Sequence, residues 1–83
     1  MDDAFRLDLA DYDKDYIVSV LDGFREEAPS YGRKLLEIRV SRAMFDKLEF
    51  EQEADGGFFK GIPVVIVAMP FEDTIEVIVG HPQ

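Results

Sequence analysis

Ile62-Pro63-Val64-Val65-Ile66-Val67-Ala68 opens the longest apolar run of the chain, which ends at Met69. The run is far shorter than the roughly 20 residues of a membrane helix, and its β-branched content favours an extended backbone. A strand that is apolar at odd and even positions alike reads as covered on both faces, with Pro63 at its start. Met69-Pro70-Phe71-Glu72-Asp73 turns the chain. Thr74 to Val79 is then expected to pair back, with Glu76 on a wet face and Gly80 as terminator.

Upstream, Leu36, Ile38 and Val40 alternate with Glu37 and Arg39, which predicts a second strand with one wet face. Ser41 is placed to cap a short helix that buries Met44, Phe45 and Leu48, and Asp55-Gly56-Gly57 is a turn signal. Near the N-terminus, Phe5, Leu7 and Leu9 alternate with Arg6 and Asp8, a short half-buried strand. Ile17, Val20, Leu21 and Phe24 then follow at helical spacing, with Asp11 or Asp13 as cap and Pro29 and Gly32 as stop. Gly23 and the strand-forming stretch Tyr16–Leu21 oppose that helix, but the amphipathic stripe decides for it. The expected fold is one α+β domain over residues 1–83. It has a small, mostly antiparallel sheet of three to four strands with one or two helices packed on one face.

Eighteen acids against nine bases give the 83 residues a net charge of −9, and the excess is patterned. Residues 1–30 hold nine acids and three bases, whereas residues 31–48 hold Arg33, Lys34, Arg39, Arg42 and Lys47 against Glu37 and Asp46. The overall charge opposes direct binding to nucleic acid or to an anionic membrane. The basic segment reads as internal neutralisation, or as complement to the acidic end of a second copy in a homodimer. Without cysteine there is no disulfide framework and no thiolate metal site. Met1-Asp2-Asp3 is acidic where a signal peptide would be basic, so a cytoplasmic protein is expected.

Chemistry-bearing motifs are sparse. Asp11-x-Asp13-x-Asp15, followed by Ser19 and Asp22, resembles the opening of a calcium-binding loop. Tyr16 stands where that loop needs glycine, and Asp22 where it needs a longer bidentate Glu, so no metal is expected. His81 is the only histidine, and no serine or threonine has an evident base. Neither a catalytic nor a cofactor site is expected.

Spacing carries the functional reading. Glu49, Glu51, Glu53 and Asp55 alternate with Phe50, Gln52 and Ala54. In an extended segment their carboxylates share a face at about 6.6 Å intervals. The phosphates of one DNA strand lie on the order of 7 Å apart. Asp11, Asp13 and Asp15, with Asp8 before them, repeat the period. Phe58 and Phe59 beside the glycine pair are either core or aromatic anchors for a partner.

Gly61-Ile62-Pro63-Val64-Val65, Met69-Pro70, Thr74-Ile75 and Gly80 together resemble a strand pair of tailed-phage capsid proteins, over about a quarter of the chain. Small acidic phage proteins of similar size and charge include inhibitors that imitate DNA on host enzymes. This resemblance implies a phage origin. The expected function is a non-enzymatic acidic module that occupies the basic nucleic-acid-binding surface of a host protein. Asp8, Asp11, Asp13, Asp15, Glu49, Glu51, Glu53, Asp55, Phe58 and Phe59 would be its contact residues. The alternative is a small virion-type assembly protein that acts by homo-oligomerisation.

Overall fold

The computed structural model describes residues 3–9, 11–48, 50–53, 56–68 and 74–80. In chain order they form β1 (Asp3–Asp8), α1 (Lys14–Glu27), a 3-10 turn (Ala28–Tyr31), β2 (Lys34–Val40), α2 (Arg42–Leu48), β3 (Glu51–Glu53), β4 (Gly56–Phe59), β5 (Ile62–Ile66) and β6 (Thr74–Gly80). The strands make one sheet in the order β1-β6-β2-β5-β4-β3. Neighbours are antiparallel except β2 and β5, which run parallel. The α+β class stands, but the expected three to four strands are corrected to a six-stranded mixed sheet.

Local backbone chemistry explains the difference. Gly56 and Gly57 lie within β4, which runs antiparallel to β3 with Glu53 opposite Gly56, so the chain reverses beside the expected turn, whose Asp55 lies outside the described residues. A Cβ on Gly57 would collide with the Glu51 carbonyl oxygen, and one on Gly56 with that of Val64. Glycine therefore lets β4 sit between β3 and β5. A further reversal falls at Lys60-Gly61, both with positive φ (50° and 85°), as a tight two-residue hairpin requires. Nor does β6 pair back on β5; it lies between β1 and β2. The partners of β5 are β2 and β4, and the parallel β2–β5 pair is reached by the crossover through α2, β3 and β4. A register shift between Leu35 and Glu37 starts the buried alternation of β2 one residue early, at Leu35 rather than Leu36.

One sheet face carries the core. Leu35, Ile38, Val40, Val64, Ile75, Val77 and Val79 are buried beneath Ile17 and Leu21 of α1 and Met44, Phe45 and Leu48 of α2. Phe50 closes one end, 5.7 Å from the Phe45 ring and 6.0 Å from that of Phe59. Each such side chain contributes about 1.5–3 kcal/mol through removal from water. Both helices serve this face, as the sequence predicts, and among the described residues no helix covers the other. The Cα radius of gyration is 12.1 Å. Among the described residues no helix is long and apolar enough to cross a membrane.

The outer face is ordered by register. One row crosses all six strands as Arg6, Glu76, Arg39, Val65, Gly56 and Glu53. A neighbouring row carries Ala4, Ile78 and Glu37 on one half and Pro63, Phe58 and Glu51 on the other. Arg39 joins Glu37 at 2.7 Å and Glu76 at 3.2 Å, and Arg6 approaches Glu76 at 3.9 Å. The face is thus a charged ladder over β1, β6 and β2 and an apolar strip over β5 and β4.

Candidate partner-binding surface

The acidic N-terminal segment adopts helix-start geometry. Asp13 is the N-cap of α1, with an extended backbone and a side-chain oxygen that accepts the Tyr16 N–H at 2.9 Å. Asp15 lies in the first helical turn, where a carboxylate complements the exposed N–H groups. Asp11, Asp13 and Asp15 therefore do not form an extended row, and the phosphate-like pitch expected of them is not realised. The twelve-residue calcium loop is excluded for the same reason, since residues 14–27 are helical. Among the described residues no group of three His, Cys, Asp or Glu is arranged to hold a metal.

What the helix start does create is an aromatic pair. Residues 12 and 16 are one turn apart, and the Tyr12 and Tyr16 rings stack at 4.4 Å with 20° between their planes. They remain 45% and 48% exposed, so the stack does not belong to the core. Its base is fixed: the Lys47 ammonium donates to the Tyr12 carbonyl oxygen at 3.1 Å, and the Tyr12 N–H donates to the Leu9 carbonyl oxygen at 3.2 Å. Exposed Asp11 and Asp15 flank the rings and make no ion pair among the described residues. The sequence signal for this pair is the i, i+4 spacing of two tyrosines within Asp11-Tyr12-Asp13-Lys14-Asp15-Tyr16.

The other expected contact residues lie elsewhere. Asp8 is exposed at the end of β1. Glu51 and Glu53 sit two apart on β3, paired with Phe58 and Gly56, so that run is extended where it is described. Glu49 and Asp55 lie outside the described residues. β1 and β3 are opposite sheet edges, five strand spacings or roughly 24 Å apart. Residues 11–15 lie beyond the end of β1, and the bond from Lys47 to the Tyr12 carbonyl oxygen holds them against α2, the helix that leads into β3. The two phenylalanines split: Phe59 is buried in the core, and Phe58 is half-buried on the outer face beside Glu51.

The bases are largely committed internally. Arg39 is held by Glu37 and then Glu76, which raise its pKa above the ordinary guanidinium value. Arg42 approaches Asp46 at 4.0 Å, and Arg33 pairs with Asp3. Lys60 and Arg25 both bind Asp22, at 2.7 and 2.8 Å; the Lys60 hydrogen bond, followed by that of Arg25, holds its carboxyl below the ordinary 3.8. A cleft of about 560 Å³ brings Arg25, Arg33, Lys34 and Lys60 together over Leu35 and Ile62, but three of its four cations are already paired. A second, mostly apolar groove of about 510 Å³ lies between Phe5, Phe24, Tyr31 and Val79. Among the described residues the basic segment pairs with Asp3, Glu37, Asp46 and Glu76, while Glu49 and Asp55 of the neighbouring acidic run lie outside them.

No protein-family model matches the chain, and neither a curated protein nor a solved structure matches it.

Proposed function

We propose that this protein is a non-enzymatic binding module that acts in the cytoplasm by docking its acidic, aromatic helix edge on a basic surface of a protein partner. The observation that carries the reading is the exposed Tyr12–Tyr16 stack beside Asp11 and Asp15 in the chain, whose exposed carboxylates make no ion pair among the described residues. Tyrosine is enriched among the residues that dominate interface energetics, because a rigid ring buries much area at small entropic cost. Flanking carboxylates select a basic partner and accelerate encounter. The basic groove of a nucleic-acid-handling enzyme is the partner surface that best suits a net charge of −9, and its occupation would inhibit that enzyme in the manner of a DNA mimic encoded by a phage. Exposed Glu51 on β3 supplies a second acidic contact.

The test is capture of a partner from bacterial lysate at low and high salt, followed by competition with duplex DNA on the identified protein. Binding is expected to fall steeply with salt and to be lost on addition of DNA. The combined Tyr12→Ala, Tyr16→Ala, Asp11→Asn and Asp15→Asn variant should weaken it at least tenfold. Asp13 is left intact because it caps α1. Undiminished binding by that variant would overturn the reading. Self-assembly is the second reading, favoured by the outer sheet face, which no helix covers among the described residues.

A further inference from the structure

We infer that the open edge of β1, with the groove beside Phe5, is a docking site for an extended, basic and apolar peptide segment of a protein partner, which adds to the sheet as a further strand. This surface is distinct from the helix edge at Tyr12 and Tyr16. The first observation is the edge itself. β1 is six residues long and pairs with β6 in unbroken register, from Asp3 opposite Val79 to Asp8 opposite Thr74. Among the described residues nothing pairs with its other side. In an antiparallel strand every second residue turns both its N–H and its C=O away from the existing partner. The complement of that row, which repeats at about 6.6 Å, is another extended backbone. Natural sheets blunt such edges by shortness, bulges, proline or lysine. The opposite edge, β3, is three residues long and includes Glu51 and Glu53, whereas β1 has no proline, lysine or bulge. Two charged side chains of β1 are drawn back onto the chain, Asp3 by Arg33 and Arg6 by Glu76 at 3.9 Å.

The second observation is what lies beside the edge. Asp3, Phe5 and Leu7 oppose Val79, Val77 and Ile75, which are buried under the helices, so this row of β1 faces the helix side. Phe5 is nevertheless 44% exposed and Tyr31 76% exposed. With Phe24, Ala28 and Val79 they line the groove of about 510 Å³, where the Phe5 and Phe24 rings stand 5.9 Å apart. That volume falls within the roughly 300–1,000 Å³ usual for ligand pockets. A strand added to β1 continues the alternation, so a bulky apolar side chain of the peptide comes to lie beside Phe5 in this groove. A shallower groove of about 330 Å³, between Val20, Gly23, Phe24 and Glu27, continues along α1. Glu27 lines both grooves and makes no ion pair among the described residues. Arg33, the other charged residue of the first groove, is held by Asp3. The unbalanced charge beside the edge is therefore negative, and it selects lysine or arginine near the apolar anchor.

A second copy fits this edge less well. Opposing side chains of antiparallel strands share a face, so a twofold pairing of β1 with itself must centre on a residue. Centred on Ala4 or Phe5, it sets Asp3 against an apolar side chain, the partner's Phe5 or the partner's Leu7. Centred on Arg6, it sets Arg6 against the partner's Arg6. Centred on Leu7, it matches Arg6 with the partner's Asp8, but only residues 6–8 overlap and the groove beside Phe5 stays empty. Each arrangement also joins two copies of charge −9.

Panning a random peptide library against the full chain tests the inference. Enriched sequences should alternate bulky apolar with polar residues, carry net positive charge and lack proline within the alternation. A synthetic peptide of the commonest such sequence is then titrated by fluorescence anisotropy. It should bind at least tenfold more weakly to Phe5→Ala and to Tyr31→Ala, each with an unchanged far-ultraviolet spectrum. The variant altered at Tyr12, Tyr16, Asp11 and Asp15 should bind it as the parent does, which separates this site from the helix edge. Backbone N-methylation of the peptide probes the docking mode without touching the protein. Methylating every second residue in one phase should abolish binding, because it removes the donors that face β1, and in the other phase should leave binding unchanged. No enrichment of alternating sequences, equal effects of the two methylation phases, or indifference to both alanine variants would overturn the inference. So would a homodimer that the peptide must displace, since the edge would then belong to a second copy.

Discussion

Gly57→Ala and Gly23→Ala make the same covalent change, and they should shift stability in opposite directions. At Gly57 the new methyl group would strike the Glu51 carbonyl oxygen and lie 3.1 Å from Cζ of Phe45. The obstacle is backbone, so no side-chain rotation relieves it, and β3 must move outward. Among the described residues β3 pairs only with β4, through Glu51, Gln52 and Glu53, and its displacement loosens Phe50 from the rings of Phe45 and Phe59. Overpacking of this kind costs about 1–3 kcal/mol, and each weakened ladder bond adds up to about 1 kcal/mol. A loss of roughly 2–3 kcal/mol is expected, a large share of the about 4–12 kcal/mol usual for this chain length. At Gly23, within α1, an added Cβ meets nothing within 4 Å and the φ is not positive. Alanine there should stabilise by about 0.5–1 kcal/mol through helix propensity alone. The chain has no tryptophan, so urea unfolding is best followed by far-ultraviolet circular dichroism. With a slope of about 1 kcal/mol/M, the midpoint should fall by roughly 2–3 M for the first variant and rise by at most about 1 M for the second. If Gly57→Ala stays within about 0.5 kcal/mol of the parent, β3 is not seated on β4 as described. A destabilised Gly23→Ala would mean that α1 does not run unbroken through that position.

Two further outcomes follow from single contacts. Asp22 is bound by Lys60 and Arg25, so its native pKa lies below the ordinary 3.8; its contribution is present above that value and lost as pH falls through the depressed native value. The stability difference between the parent and Asp22→Asn should therefore shrink as pH drops below about 4, and a carboxyl titration midpoint at or above 3.8, read by NMR, would refute the pairing. Leu21→Ala empties a fully buried site between α1 and the sheet and should cost about 2–5 kcal/mol in the same urea assay; a cost below about 1 kcal/mol would place Leu21 outside the core.

How much of this was legible in the sequence depended on whether the deciding interaction was local. α1 was readable because the stripe of Ile17 and Leu21, the Asp13 cap and the Gly32 stop all lie within one segment, and these overrode the strand propensity of residues 16–21. The Ser41 cap was readable likewise, and its hydroxyl accepts the Met44 N–H at 3.1 Å. Pairing was not. Whether Thr74–Gly80 adds to β5 or inserts between β1 and β2 depends on partners 35 to 76 residues away, and the alternation of β6 fits either place. The Gly56-Gly57 pair marked a place where the chain reverses, but glycine also serves close strand approach, and only the neighbouring carbonyls show that both residues belong to β4. At the surface, alternation of Asp11, Asp13 and Asp15 suggested an extended row, but capping chemistry, which also prefers aspartate, claimed the segment for a helix start.

The open edge of β1 has a consequence for how the surfaces combine. The Tyr12–Tyr16 stack stands at the start of α1, and Phe24 of the groove stands near its end. Residues 16 and 24 lie about 12 Å apart along the helix axis. One partner is therefore able to occupy both sites, with a basic surface on the stack and an extended basic segment on the strand edge. Bivalency multiplies apparent affinity only where both sites engage together. The edge variants Phe5→Ala and Tyr31→Ala should therefore weaken capture of a partner that spans both sites while leaving binding to an immobilised basic surface without the extended segment unchanged. Loss of that single-site binding in those variants would mean instead that the β1 edge itself touches the basic surface, and that the helix edge and the strand edge do not act as separate surfaces.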